Sequence, residues 1–240
     1  TEAVLFDLDD TLFDHQHSCR CGLAAVQKDV TSLAQVPLPT LQGRYNELLE
    51  ELYPAVLRGE VTRSDALRIR FRRLLLEVGS GASEQDVAAA SRCYWTVYRE
   101  NRRPLPGAAA LVHMLRPTVK VGVVTNGDLG DTDVKLRLCA LGSVIGNVIA
   151  SVQAGCQKPD SRIFCVALRH LGGVDSGRAV MVGDTWSTDV SGALAAGMRA
   201  VWLNRGGNMR PGRFPAVQGI RSFLPLSMVR ALILGVRRQR

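Results

Sequence analysis

Val4, Leu5 and Phe6 lead directly into Asp7, Leu8, Asp9, Asp10, Thr11 and Leu12, so an apolar run near the start of the chain delivers a packed set of carboxylates. The apolar residues read as a buried strand. In extended chain Asp7 and Asp9 project to one side, because side chains alternate with a period of two. Like charges that close cannot both stay ionised without help. The pair therefore either splits its pKa values for proton transfer and nucleophilic work, or binds a cation.

Three later segments also gather polar groups, two of them at the ends of apolar runs. Residues 121–124 run into Thr125, Asn126 and Gly127, which supply a hydroxyl, an amide side chain and a glycine that lets backbone N–H groups approach an anion; Asn-Gly is equally a common turn pair. Gln157, Lys158, Pro159 and Asp160 precede a helical stretch, where the helix dipole disfavours a lysine by up to ~1 kcal/mol. Lys158 is thus either exposed or wanted by a nearby anion, and lysine is scarce here: 4 Lys stand against 26 Arg. Val182, Gly183 and Asp184 place a carboxylate after a buried strand and a glycine, as suits close approach to a hard cation that prefers oxygen. Asp189 is favoured by the dipole in the first turn of a helix. With Asp7 and Asp9 these acids form a carboxylate-rich pocket suited to a divalent metal such as Mg2+.

The elements that must position these groups follow from the hydropathy pattern. Residues 120–125, 148–152, 179–182 and 200–203 are short Val-rich runs of the doubly buried kind. Helical spacing over 131–141, 161–171 and 188–196 fills the gaps, with Gly142, Gly172 and Gly197 at the expected C-terminal caps. Strand and helix alternate, the signature of a parallel sheet covered by helices. Residues 15–103 show no convincing strand and read as a helical insertion, with helices over 41–57, 62–78 and 83–103. Pro104, Pro106 and Gly107 punctuate the return. The insertion can sit over the carboxyl ends of the strands, where open α/β sheets bind ligands.

With 240 residues and 46% hydrophobic content the chain buries a sizeable core. No run approaches the ~20 apolar residues that span a bilayer, and a cytoplasmic protein with no membrane partner is expected. The six cysteines lack paired C-x-x-C spacing and read as reduced, small apolar residues. A net charge of +8 raises nucleic acid as a partner. Arg63, Arg68, Arg70, Arg72 and Arg73, however, spread around more than one helical face, and few aromatics interleave with them. A solvated helix is therefore expected, and no nucleic-acid partner. His15 and His17 read as surface histidines in the loop over residues 13–21, and Arg237, Arg238 and Arg240 as a frayed end.

The four motifs in order resemble those of the haloacid dehalogenase-like hydrolase superfamily, in its phosphatase branch with a helical cap inserted after the first motif. Asp7, Leu8, Asp9, Asp10, Thr11 and Leu12 match the first motif, Thr125 the second, Lys158 with Pro159 and Asp160 the third, and Gly183, Asp184 and Asp189 the fourth; residues 192–202 match the following helix and strand. The resemblance implies an α/β core with a Rossmann-like doubly wound parallel sheet in residues 1–14 and 104–240, and a cap in 15–103. It also implies a phosphatase acting on a small phosphorylated metabolite. Asp7 becomes the nucleophile and Asp9 the acid and then the base. Asp7, the Asp9 backbone carbonyl, Asp184 and Asp189 hold Mg2+, Thr125 and Asn126 bind the phosphoryl oxygens, and Lys158 neutralises charge shared by Asp7 and the phosphate. A 2-haloacid dehalogenase needs neither the acid nor the metal, so Asp9 argues for phosphate esters. A phosphomutase uses the same pair of acids, and an idle partner-binding relative has no physical need for clustered carboxylates. Specificity is expected from the cap and from residues 13–21; the leaving group and the oligomeric state stay open.

Overall fold

The computed structural model describes residues 1–79, 82–127 and 129–235; the three tail arginines lie outside these residues. Six strands, β1 (Ala3–Phe6), β2 (Lys120–Thr125), β3 (Val148–Ala150), β4 (Ala179–Gly183), β5 (Arg199–Leu203) and β6 (Val217–Ile220), form one sheet in the order β3-β2-β1-β4-β5-β6. Every pairing is parallel. This is the doubly wound order, which reverses direction between β1 and β4 and opens a crevice at their carboxyl ends. Val4 pairs with Val121 on one side and Val180 on the other, so strands far apart in sequence end side by side.

The chain divides into two compact units, one made of Thr1–Asp14 with the chain from Arg103 onward, the other of His15–Arg102. The second unit is helical: α1 (His15–Asp29), α2 (Thr31–Ala34), α3 (Leu38–Leu57), α4 (Arg63–Glu77) and α5 (Glu84–Glu100). Thr62 and Ser83 cap α4 and α5, each hydroxyl accepting a backbone N–H three residues on at 3.1 Å. Its core is aromatic, with Tyr45, Phe71 and Tyr94 meeting at centroid distances of 5.0–5.8 Å. Gly22 lets α1 approach α5, for a Cβ there would lie 2.7 Å from the Tyr94 ring. Four of the five arginines of α4 are spent on the unit itself: Arg68 and Arg72 pair with Glu84, Arg73 with Glu51, and Arg70 stacks on the Tyr45 ring.

The sheet unit adds α6 (Ala108–Leu115), α7 (Leu129–Leu138), α8 (Ser151–Ala154), α9 (Ser161–His170), α10 (Ser191–Ala195) and α11 (Leu226–Leu234). Several boundaries differ from the expected ones. Residues 13–21 are not a loop, because α1 begins at His15. β3 stops at Ala150, where Ser151 opens a short helix instead of extending the strand. The helix expected over 188–196 is split into a wide π-type turn, Trp186–Val190, and α10. Gly172 and Gly197 take the left-handed conformation after their helices, but Gly142 does not. Ala140 takes that role for α7 at φ 56°, and the N–H groups of Ala140 and Leu141 close onto the carbonyls of Arg137 and Leu136. No helix among the described residues is long and apolar enough to cross a membrane.

Candidate active site

The sheet order gathers the sequence motifs. Asp7 follows β1, Thr125 ends β2 and Asp184 follows β4, all at the carboxyl edge of adjacent strands. The Asp7 N–H donates to the Val182 carbonyl at 2.9 Å, which ties the first motif to the strand that carries the fourth. Lys158, ahead of α9, is only 4% exposed and donates to Asp7 Oδ1 at 2.5 Å and to Asp189 Oδ1 at 2.6 Å. The lysine thus sits at an anion site, not at the surface. Asp160 is the residue that caps α9, its carboxylate accepting the Arg162 N–H at 2.9 Å.

Asp7, Asp184 and Asp189 each offer a carboxylate oxygen, and these oxygens lie within 4.8 Å of one another. Asp189 is buried, and its Oδ2 also accepts the Thr185 N–H at 3.0 Å. The Trp202 indole N–H holds the Asp184 carbonyl at 2.8 Å. Burial pushes the Asp7 carboxyl up to about 7; Lys158 opposes that rise, while Asp189 and Asp9 add to it. Burial, with Asp7, Asp189 and Asp10 facing it, pushes Asp184 up to about 9. Burial works against the charge of Lys158, but Asp189 and Asp7 outweigh it and raise its pKa. Three carboxylates against one ammonium leave the pocket short of positive charge. All the donors are hard oxygens, so the set fits a cation such as Mg2+.

Asp9 lies outside this trio. Its Oδ1 accepts from Lys135 Nζ at 2.8 Å, and Lys135 also pairs with Asp131, one turn earlier on α7, at 2.9 Å. Burial of Lys135 works to lower its pKa, but the two carboxylates outweigh it and raise it. Sequence reasoning missed Lys135. The signal that would have found it is the same lysine scarcity that singled out Lys158. Asn126 has both ends of its side chain committed: Nδ2 donates to the Lys158 carbonyl at 3.1 Å and Oδ1 accepts the Lys158 N–H at 2.8 Å. It staples β2 to the segment carrying the lysine. The buried Thr125 hydroxyl accepts the Gly127 N–H at 2.9 Å.

Around the first motif, Asp10 stands at φ 60° and Asp14 is buried. Arg205, after β5, reaches Asp10 at 3.4 Å and Asp14 at 3.0 Å; Arg103 meets Asp14 at 2.7 Å. In the helical unit His15 Nδ1 lies 2.8 Å from the Tyr98 hydroxyl and Nε2 lies 3.2 Å from Cys19 Sγ, so this histidine is tied into its own unit. No disulfide joins the cysteines, all six of which lie among the described residues; Cys19 and Cys139 are buried, whereas Cys165 is exposed.

The family model for haloacid dehalogenase-like hydrolase matches residues 1–197. Pyrimidine 5'-nucleotidase YjjG of Escherichia coli is 30% identical over 205 residues, 84% of this chain and 85% of that protein. The crystal structure of the putative HAD-hydrolase YfnB from Bacillus subtilis, bound to magnesium, is 25% identical with a TM-score of 0.75 over 98% of this chain and 99% of that one. A 2-haloacid dehalogenase from Pseudomonas syringae is 28% identical with a TM-score of 0.60, over 96% and 98%. A match that runs from the first strand through α10, on a fold shared over nearly the full length, assigns one family: the chain belongs to the haloacid dehalogenase-like hydrolases.

Proposed function

We propose that the chain is a magnesium-dependent phosphatase that hydrolyses a small phosphorylated metabolite through a covalent aspartyl-phosphate. The observation that carries this reading is the buried Asp7 carboxylate, held by Lys158 beside Asp184 and Asp189. Asp7 attacks phosphorus as the bond to the leaving oxygen breaks, and Asp9 gives that oxygen its proton. Water then attacks the phosphoryl group, losing its proton to Asp9, and Asp7 is released. Lys158 neutralises charge on the Asp7 oxygen and the phosphate; loss of one such donor costs ~3 kcal/mol of transition-state stabilisation. Thr125 would bind a phosphoryl oxygen through its hydroxyl, and Asn126 through its main-chain N–H, since its side chain serves Lys158. Asp7, Asp184, Asp189 and the Asp9 carbonyl would hold Mg2+, which when bound supplies the positive charge that offsets repulsion between Asp7 and the phosphate.

The relative named as a nucleotidase supports phosphate esters over carbon–halogen bonds, and so does the full set of acids at Asp9, Asp184 and Asp189. Release of inorganic phosphate from a panel of phosphorylated metabolites with Mg2+ tests the reading, with halide release and sugar-phosphate isomerisation measured in parallel. Wild type is expected to release phosphate, and Asp7→Asn to lose at least 10³-fold in rate. Mg2+ should also raise the melting temperature of wild type, through binding to the folded state alone, and do so less for Asp184→Asn. Halide release, isomerisation without net phosphate, or activity surviving in Asp7→Asn would replace the phosphatase reading.

A further inference from the structure

Lys135 is 5% exposed and stands on α7, outside every motif that the proposed mechanism uses. A buried ammonium is costly unless fully paired, and a helix that needed only packing here would be served by leucine or methionine. Lys135 instead touches the first-motif loop twice. Its Nζ donates to Asp9 Oδ1 at 2.8 Å and lies 5.0 Å from the centroid of the Phe13 ring. Asp9 and Phe13 are themselves bridged through the backbone, and the Asp10 N–H donates to the Phe13 carbonyl at 2.7 Å. One turn on, just past the end of α7, the buried Cys139 thiol reaches the Leu12 carbonyl at 3.6 Å. The lysine is braced from its own helix by Asp131 at 2.9 Å. Loop residues 9–13 are therefore fastened to a helix, and the fastening point on Asp9 is its carboxylate.

We infer that Lys135 is a positioning residue, which fixes the Asp9 carboxyl in the orientation from which it passes its proton to the leaving oxygen as the Asp7–phosphorus bond forms and the phosphorus–oxygen bond breaks. The inference rests on the reading of Asp9 as proton carrier in a phosphatase. Lysine suits the role because its ammonium is compact and can serve two carboxylates and a ring at once, a set of contacts that the planar fork of arginine would reproduce only in part. Two of the chain's four lysines thereby hold two of the acids of one motif, Lys158 on Asp7 and Lys135 on Asp9.

The test is the leaving-group dependence of Lys135→Met with Mg2+, read as kcat/KM so that only the steps through departure of the leaving group count. The two probes are para-nitrophenyl phosphate, whose leaving group needs little protonation, and the best alkyl monophosphate from the metabolite panel. The variant is expected to lose roughly 10²-fold on the alkyl ester, the range of general-acid assistance, and at least tenfold less on the aryl ester. Lys135→Arg should recover part of the alkyl rate, and Lys135→Gln serves if the methionine variant does not fold. A crystal structure of the variant is expected to show the Asp9 carboxylate turned from its wild-type position. Equal losses on both esters, a faster alkyl reaction, or an Asp9 that stays in place without the lysine each overturn the inference. Wild type that releases no phosphate from any monoester sinks the phosphatase reading instead, and the variant's crystal structure still decides whether Lys135 holds Asp9.

Discussion

Gly183 has space for a hydrogen and nothing larger. A Cβ at this position would lie 2.4 Å from Asp189 Oδ2 and 2.5 Å from its Cγ, and Asp189 cannot retreat because Lys158 and the Thr185 N–H grip its two oxygens. Gly183→Ala is therefore expected to displace the Asp189 carboxylate and cost about 2 kcal/mol, the range of overpacking in a rigid interior. Calorimetry should show a melting temperature lower by roughly 5 °C, by the usual scaling for a chain of this size. An alanine variant with wild-type melting would mean that the fourth motif is looser than its contacts suggest. At this scale the sequence was most readable where a residue broke a local rule. Lys158 stood against a helix dipole, and Asp184 followed a buried strand, so both were visible. Lys135 broke no local rule, since a lysine one turn after Asp131 is an ordinary helical ion pair. Asn126 was legible as a polar strand end, but only the fold reveals that its side chain holds the Lys158 main chain.

Between strands and helices, the first motif depends on neighbours that the sequence lists far apart. β1 sits between β2 and β4, which is why residues 7, 125 and 184 share one edge. The runs themselves were legible as Val-rich segments, and alternation with helices announced a parallel sheet. Strand order is a matter of long-range pairing, so it entered only through the resemblance. β6 escaped because only Val217 and Ile220 of its four residues are buried, too little for a pattern at the edge of a sheet. The end of α7 was misplaced for a different reason: the expected signal was a glycine, and an alanine does its work. Ala140 at φ 56° bears a Cβ against the following carbonyl, a strain of about 1 kcal/mol that glycine avoids. Ala140→Gly is accordingly expected to stabilise the protein by about 0.5 kcal/mol or more, after allowing for the greater freedom of glycine in the unfolded chain. Urea unfolding measures it through the midpoint at constant slope, and a lower midpoint would show that this helix end is not strained.

At the scale of the molecule, the chain leaves the sheet unit after Asp14 and returns at Arg103, and the structure fastens these two points together. The Asp14 N–H donates to the Arg103 carbonyl at 3.1 Å, the Leu105 N–H to the Leu12 carbonyl at 2.8 Å, and Phe13 bridges Pro104. Closing so long an excursion costs entropy that grows only with the logarithm of its length, so a few well-made contacts at the root can hold it. The Asp14 carboxylate is the charged part of that fastening, shared by Arg103 and Arg205. Burial alone would raise its pKa, but hydrogen bonds from both guanidinium groups and their charge outweigh burial and hold it below the usual carboxylate value. A carboxylate depressed in the folded state stabilises the fold above its unfolded pKa, near 3.9, and loses that contribution as the pH falls through the folded value. Asp14→Asn keeps the volume and removes the charge, so it should cost roughly 2 kcal/mol at pH 7, the worth of hydrogen bonds to a charged group. The difference from wild type is expected to hold from neutral pH down to about 5 and then to narrow as the pH drops below about 4. Urea unfolding of both proteins across that range reads it directly. A gap that stayed constant into acid would assign the stability of this root to its backbone contacts and leave the Asp14 charge without a role.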